Sequence, residues 1–205
     1  MSEICAEISK DILKNCDDTP VMGIEQRLVL INESDLPASG IIFDTVYKNS
    51  LITDINLITG KTGYEVQNIK QIMNYTNSLE SSEDSENGVL HQINGIRIYD
   101  PSEEARKEIN SFIGGAKVYA VLERKWKGID NKYAFLFFGL KFGLELKELV
   151  DNSNENDGTM VLSLGTPSGF KEPYVPHIYR DTNYETSLVT FNNKFGTGGS
   201  EEGEA

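Results

Sequence analysis

The 205-residue chain has room for one domain with extensions. Its 39% hydrophobic content supports a core, while 32 acidic against 19 basic residues give a net charge of −13. That balance argues against a free-standing nucleic-acid binder, whose phosphate contacts need surplus Lys and Arg. No apolar run approaches the ~18–20 residues of a membrane-spanning helix, so membrane insertion is not expected.

The opening MSEICAEISKDILKNC places acids where an export signal needs a basic start and a continuous apolar stretch, which predicts synthesis in a cytosol without classical export. Ile4, Ile8 and Ile12 fall at i, i+4, i+8 and predict an amphipathic helix over 3–15, able to pack on its own domain or on a neighbouring subunit. Cys5 and Cys16 share a face of that helix too far apart to bridge, and read as small buried apolar residues.

RLVLIN (27–32) reads as a strand, as do 41–47 and 51–58. GKTG then leads into YEVQNI (64–69), which suggests a hairpin, and the acidic stretch 76–88 reads as a long exposed loop. GIRIYD (95–100) returns to strand. A helix over 101–113 follows, with Asp100 as N-cap, Pro101 at the first helical position, Glu103 completing the capping pattern, and Gly114-Gly115 as the stop.

KVYAVLERKW (117–126), the apolar run after KGIDNK, and TMVLSLGT (159–166) read as a three-stranded antiparallel meander. The prolines of FKEPYVPHIY (170–179) suggest an extended edge segment. Thr182 and Glu185 form a capping pattern for a helix over 182–193, with Tyr184, Leu188 and Phe191 on one face. The expected organisation is a helical arm over 1–20, a β-rich domain over 21–193 and a flexible acidic tail over 194–205. The fold class is α+β, an antiparallel β-sandwich or rolled barrel with one flanking helix and terminal helices.

Motifs for chemistry are missing their essential parts. GKT at 60–62 has Ile55 where a phosphate-binding loop needs glycine, and DNSNENDG puts Leu164 where a calcium loop needs its bidentate Glu. His91 and His177 have no acid or cysteine spaced for a metal site and read as surface or hydrogen-bonded core residues. Glu145 and Glu148 would point to opposite faces of a regular strand, so they do not make an acid/base pair. No catalytic, cofactor or metal residue is assigned, and the chain is expected to be non-enzymatic.

The stretch YAFLFFGLKFGLELKELV (133–150) is the most informative. Every even position from Ala134 to Leu146 is apolar, whereas the odd positions turn from Phe135 and Phe137 to Gly139, Lys141, Gly143, Glu145 and Lys147. As one strand it would reach roughly 45 Å, far beyond the usual length. Such a strand needs closure or a neighbour. Phe135 and Phe137 would then be covered by the helix 101–113 or, with Ile4, Ile8 and Ile12, form inter-subunit contacts, leaving Lys141, Glu145 and Lys147 on a wet surface.

PVMGIEQRLVLIN, DPSEEARKEINSFIGGAKVYAVLERKW, FFGLKFGLELKEL, NENDGTMVLSLGTPSG and EPYVPHIYRDTNYETSLVTF together resemble structural proteins of phages and prophages of Bacteroides-type hosts and, more loosely, the phage tail-tube family. That resemblance implies a virion subunit, a tail tube or connector ring made of copies of itself. Its partners would be other tail proteins, with DNA passing through an acidic lumen near Lys141, Glu145 and Lys147 without specific binding. The competing reading is a β-sandwich ligand-binding or adhesion module using Trp126, Tyr174 and Tyr179.

Overall fold

The apolar run through residues 133–150 is not one strand. Gly139 and Gly143 take positive φ angles of 80° and 69° and turn the chain out of one sheet and into another. The computed structural model describes residues 11, 12, 18–82 and 85–195. Within them the strands are β1 (Ile24–Asn32), β2 (Ile41–Phe43), β3 (Leu51–Ile55), β4 (Tyr64–Gln67), β5 (Asn74–Ser82), β6 (Ser85–Ile98), β7 (Val118–Arg124), β8 (Phe135–Phe138), β9 (Glu145–Asp151), β10 (Met160–Gly165) and β11 (His177–Tyr179). Two helices, α1 (Glu103–Ile113) and α2 (Tyr184–Asn192), complete the set.

The strands form a two-sheet α+β sandwich. One sheet has the order β2-β3-β11-β8-β7-β1-β4, the other β5-β6-β10-β9. Pairing is antiparallel except between β11 and β3. Two apolar layers result. Ile93, Ile96, Leu162 and Leu164 of the smaller sheet meet Leu28, Leu122, Leu136 and Phe138 of the larger one. On the larger sheet's other side, Val29, Val121, Phe135, Phe137 and Tyr179 pack with Phe191 and Leu188 of α2 and with Phe195.

A strand buried on both faces reads as a continuous apolar run instead of an alternating one, and FLFF in β8 is that case: all four residues are buried. Full burial of each such side chain contributes ~1.5–3 kcal/mol. Phe135 is therefore covered by α2, stacking on Tyr184 at 6.0 Å and tilting against Phe191 at 5.0 Å. This corrects two expectations. Phe135 and Phe137 are not inter-subunit surfaces, and the helix over them is the C-terminal one, not α1.

Other expectations also give way. Residues 76–82 and 85–88 are strand and not loop: Leu79 pairs with Val89 and Asn77 with His91 between β5 and β6. Ser and Thr alternating with Asn and Leu suit an exposed strand, and the acidic composition hid it. β3 and β4 do not form a hairpin; β4 pairs with β1, whereas β3 lies between β2 and β11. Residues 177–179 are an inner strand, since both prolines, Pro173 and Pro176, precede β11 and leave its amides free to pair. The expected meander is two hairpins in separate sheets, β7–β8 and β9–β10.

Helix starts shift slightly. Ser102 caps α1 by accepting from the Ala105 N–H at 3.2 Å, while Asp100 accepts from the N–H and Oγ of Ser102. Asn183 and Thr186 make the reciprocal capping box of α2, because Thr182 already turns to the Asp181 carboxylate. The N-terminal helix, with Ile4, Ile8, Cys5 and Cys16, lies outside the described residues, as does the tail beyond 195; Ile12 is described and 90% exposed. Phe195 does not belong to a tail, for it is buried with its ring 5.2 Å from Tyr179.

Candidate functional site

The four-stranded sheet presents an apolar inner face and a polar outer one. Across the β5–β6 pair, Asn74 faces Asn94, Thr76 faces Gln92 and Ser78 faces Leu90, whereas Tyr75 opposite Ile93 looks inward. Glu145 pairs with Gly165 and Glu148 with Ser163. Gly165 and Ser163 are two apart on β10, so they share a face, and the two glutamates share it too. A bulge at Lys147 makes this possible by resetting the strand's parity. The expectation that Glu145 and Glu148 point to opposite faces is thus corrected; its premise was a regular strand.

Two of the three expected wet-surface residues come together here. Lys147 donates to Glu145 Oε1 at 2.7 Å and to Ser168 Oγ at 3.1 Å, and Glu145 also accepts from the Ser168 N–H. The Lys147 bond chiefly holds the Glu145 carboxyl below its usual range. Lys141 stands apart, in the turn between β8 and β9, with its ammonium 5.1 Å from the Phe142 ring. Both edges of this sheet are unpaired among the described residues. β5 is the barer, with Thr76–Glu80 all exposed and Leu79 at 71%. At the other edge Arg106 of α1 approaches Asp151 at 4.0 Å.

A buried polar junction closes one end of the sandwich. The segment from Phe170 to Pro176 crosses from β10 to β11. On the way Glu172 and Val89 exchange both backbone hydrogen bonds, at 2.8 and 2.9 Å. The Glu172 carboxylate, 1% exposed, accepts from the N–H groups of Lys141 at 3.1 Å and Phe142 at 3.0 Å. Burial still pushes its pKa up, against the opposing effect of these bonds. His91 bonds the Tyr174 carbonyl through Nε2 at 3.0 Å and receives the Gly139 N–H on Nδ1 at 3.3 Å. Burial depresses His91 and His177 to about 4. The histidines are hydrogen-bonded or packed core residues, and among the described residues no group of three or more His, Cys, Asp or Glu is placed to hold a metal ion.

A second cluster fixes α2 to the larger sheet. Lys127 donates to Glu123 and to the Tyr184 hydroxyl, and that hydroxyl donates to Glu123 at 2.8 Å. Sequence reading passed over Glu172 and Glu123. The available signal was a lone acid inside an apolar or proline-flanked stretch, as in VLER and FKEPY, where a charge must find a partner.

The aromatics considered for ligand binding do not form a platform. Tyr179 is buried, Tyr174 stands edge-on to His177, and Trp126 donates its Nε1–H to Asp18 with Arg124 over its ring. No helix among the described residues is long and apolar enough to cross a membrane. Comparison with protein-family models, with curated proteins and with solved structures finds no match to this chain.

Proposed function

We propose that the chain is a non-enzymatic structural subunit of phage tail-tube or tail-connector type, which joins copies of itself into a ring around a DNA conduit. The observation that carries this reading is the bare nine-residue edge of β5. An exposed strand edge is a template for another chain, and natural proteins normally blunt it with lysine, proline or a covering element. Among the described residues β5 has none of these: its sequence is NYTNSLESS. Pairing of β5 with β9 of the next copy would consume both edges, and a heterologous contact of that kind makes a ring when its rotation closes.

The outer face of the smaller sheet then lines the ring. Its ionised groups are Glu80, Glu145 and Glu148 against Lys147 and Arg97, the last paired with Asp157 of the neighbouring turn. A face with excess carboxylate repels phosphate and lets a nucleic acid slide. Partners on this reading are copies of the chain and other tail proteins, and the place is the virion.

The test is assembly. Mass photometry and negative-stain microscopy of the purified protein at rising concentration should show rings or tubes. Successive residues of an edge strand direct their amides to alternate sides, so one of Thr76→Pro and Asn77→Pro removes an outward amide. That variant should keep its far-UV circular dichroism and lose the rings. A wild-type protein that stays monomeric at millimolar concentration would overturn the reading.

A further inference from the structure

The segment 170–176 is tied down by titratable side chains and by the Phe170 ring, which lies 4.8 Å from that of Phe142. Glu172 holds the β8–β9 turn through the amides of Lys141 and Phe142, and His91 on β6 holds the strap's own carbonyl at Tyr174. Among the described residues its ladder bonds are the pair between Glu172 and Val89. One short strap thus binds the β5–β6 hairpin, the sheet-crossing turn and β11 together.

The protonation state of His91 is fixed by its partners. Nε2 donates to a carbonyl, so Nδ1 must be the bare nitrogen that accepts the Gly139 N–H. A proton on Nδ1 would set donor against donor in a site from which water is excluded. His177, the first residue of β11, is equally buried and close enough to His91 for a charge on one to oppose a charge on the other. We propose that residues 170–176 form an acid-released strap, closed while His91 and His177 are neutral and opened when protons reach them.

The sign follows from linkage. Each histidine has an ordinary pKa of 6.5 and is depressed to about 4 in the closed form. The stability that the neutral rings lend to closure is complete above pH 6.5 and lost as pH falls toward 4. Through that window the open form binds two more protons, so its population rises about 100-fold per pH unit. Glu172 works in the opposite direction. Its pKa is raised by burial, so the closed form takes up that proton first, and in the window where it does so the rise slackens to about 10-fold per unit. Lys141 on the turn and Tyr119 on β7, with Glu33 behind it, are the other ionisable groups acting on this site, and burial raises the Tyr119 pKa further from the window. Tyr174 and Lys171 are the ionisable residues of the strap besides Glu172.

Hydrogen–deuterium exchange of the full chain, corrected for the intrinsic pH dependence of exchange, tests this between pH 7 and 4.5. Peptides covering 87–91, 139–143 and 170–176 should lose protection together, about 100-fold per pH unit at first, while β7 stays protected. In His91→Gln, which retains a donor for Tyr174, the dependence should fall to about 10-fold. Protection that is independent of pH, or lost only in step with β7, would overturn the strap. So would an unchanged slope in His91→Gln. Should that variant not fold, the ring-proton titrations of wild-type His91 and His177 decide: titration near 4 supports the strap, and titration near 6.5 in the folded protein overturns it.

Discussion

The N–H of Gly143 donates to the carbonyl of Gly139 at 2.8 Å, closing the turn through which the chain passes from the larger sheet to the smaller. A Cβ on Gly139 would stand 2.9 Å from the Gly143 carbonyl carbon and 3.0 Å from Leu144 Cγ, at a φ of 80°. Neither obstacle is the free end of a long side chain. Gly139→Ala should therefore cost more than the ~1–2 kcal/mol of a left-handed L-residue. Gly115 is the control, since at φ 93° nothing lies within 4 Å of its added Cβ. Urea denaturation should show Gly139→Ala losing clearly more stability than Gly115→Ala; equal losses would mean that the turn yields.

Phe191 ties α2 to the larger sheet through Phe135, and the Arg27 guanidinium lies 4.8 Å from its ring centre. Phe191→Ala should cost ~3–5 kcal/mol, the usual range for emptying a phenylalanine site in a core. Loss of near-UV signal from the packed aromatics should accompany it. A loss below ~1 kcal/mol would show that α2 can settle into the space.

Glu123 is 4% exposed and shares one carboxylate between Lys127 and Tyr184. Burial works against the charged Lys127, but its bonds to Glu123 and Tyr184 outweigh that and raise its pKa. Glu123→Ala leaves the ammonium with the Tyr184 hydroxyl and, at 3.8 Å, the Glu25 carboxylate, and should cost ~3 kcal/mol. Tyr184→Phe keeps the stack on Phe135 and should cost ~1 kcal/mol. The raised pKa adds a pH signature: the ammonium's contribution is complete below its ordinary pKa of 10.5 and fades as pH rises through the raised value. Alkaline denaturation curves of the wild type and Glu123→Gln should diverge least at high pH.

The caps offer a finer test. Asn183→Ala should weaken α2 by ~1 kcal/mol, whereas Thr182→Ala, outside the capping box, should stay within ~0.5 kcal/mol. The same contrast holds for Ser102→Ala at α1, whose hydroxyl takes the Ala105 amide. Thermal melts of the four alanine variants, Asp100→Ala included, would rank the caps directly.

Strands and helices were largely legible in the residues, because the apolar runs at 27–32 and 117–126, the alternation at 159–166 and the start and stop signals around 101–115 have local causes. Pairing partners were not. The insertion of β11 between β3 and β8 depends on contacts from Leu51 to Tyr179 that leave no periodic trace. Parity also misled at two places. Ala134 to Leu146 keeps an unbroken even-numbered apolar series because the residues between the two strands, Leu140 to Leu144, happen to continue the count. The bulge at Lys147 then shifts it by one, visible only in the spacing of Leu146 and Leu149 on the inner face. On the smaller sheet's outer face Glu145 and Lys147 were recognised together; in the buried junction His91 was read as a surface or hydrogen-bonded core residue, whereas Glu172 was passed over, since its partners are backbone groups far away in sequence.

The place of β11 sets a timetable for synthesis. β3 and β8 are made early, yet each waits for the same three residues, His177–Tyr179, before one of its edges is paired. Until residue 179 has left the ribosome, the larger sheet is two fragments with open apolar edges, and α2 has no complete surface to settle on. At synthesis rates of ~5–20 residues per second, the interval from β8 to β11 lasts ~2–8 s. A nascent chain stalled before residue 177 should therefore be protease-sensitive and dependent on chaperones, and one stalled with residue 195 clear of the exit tunnel should be neither.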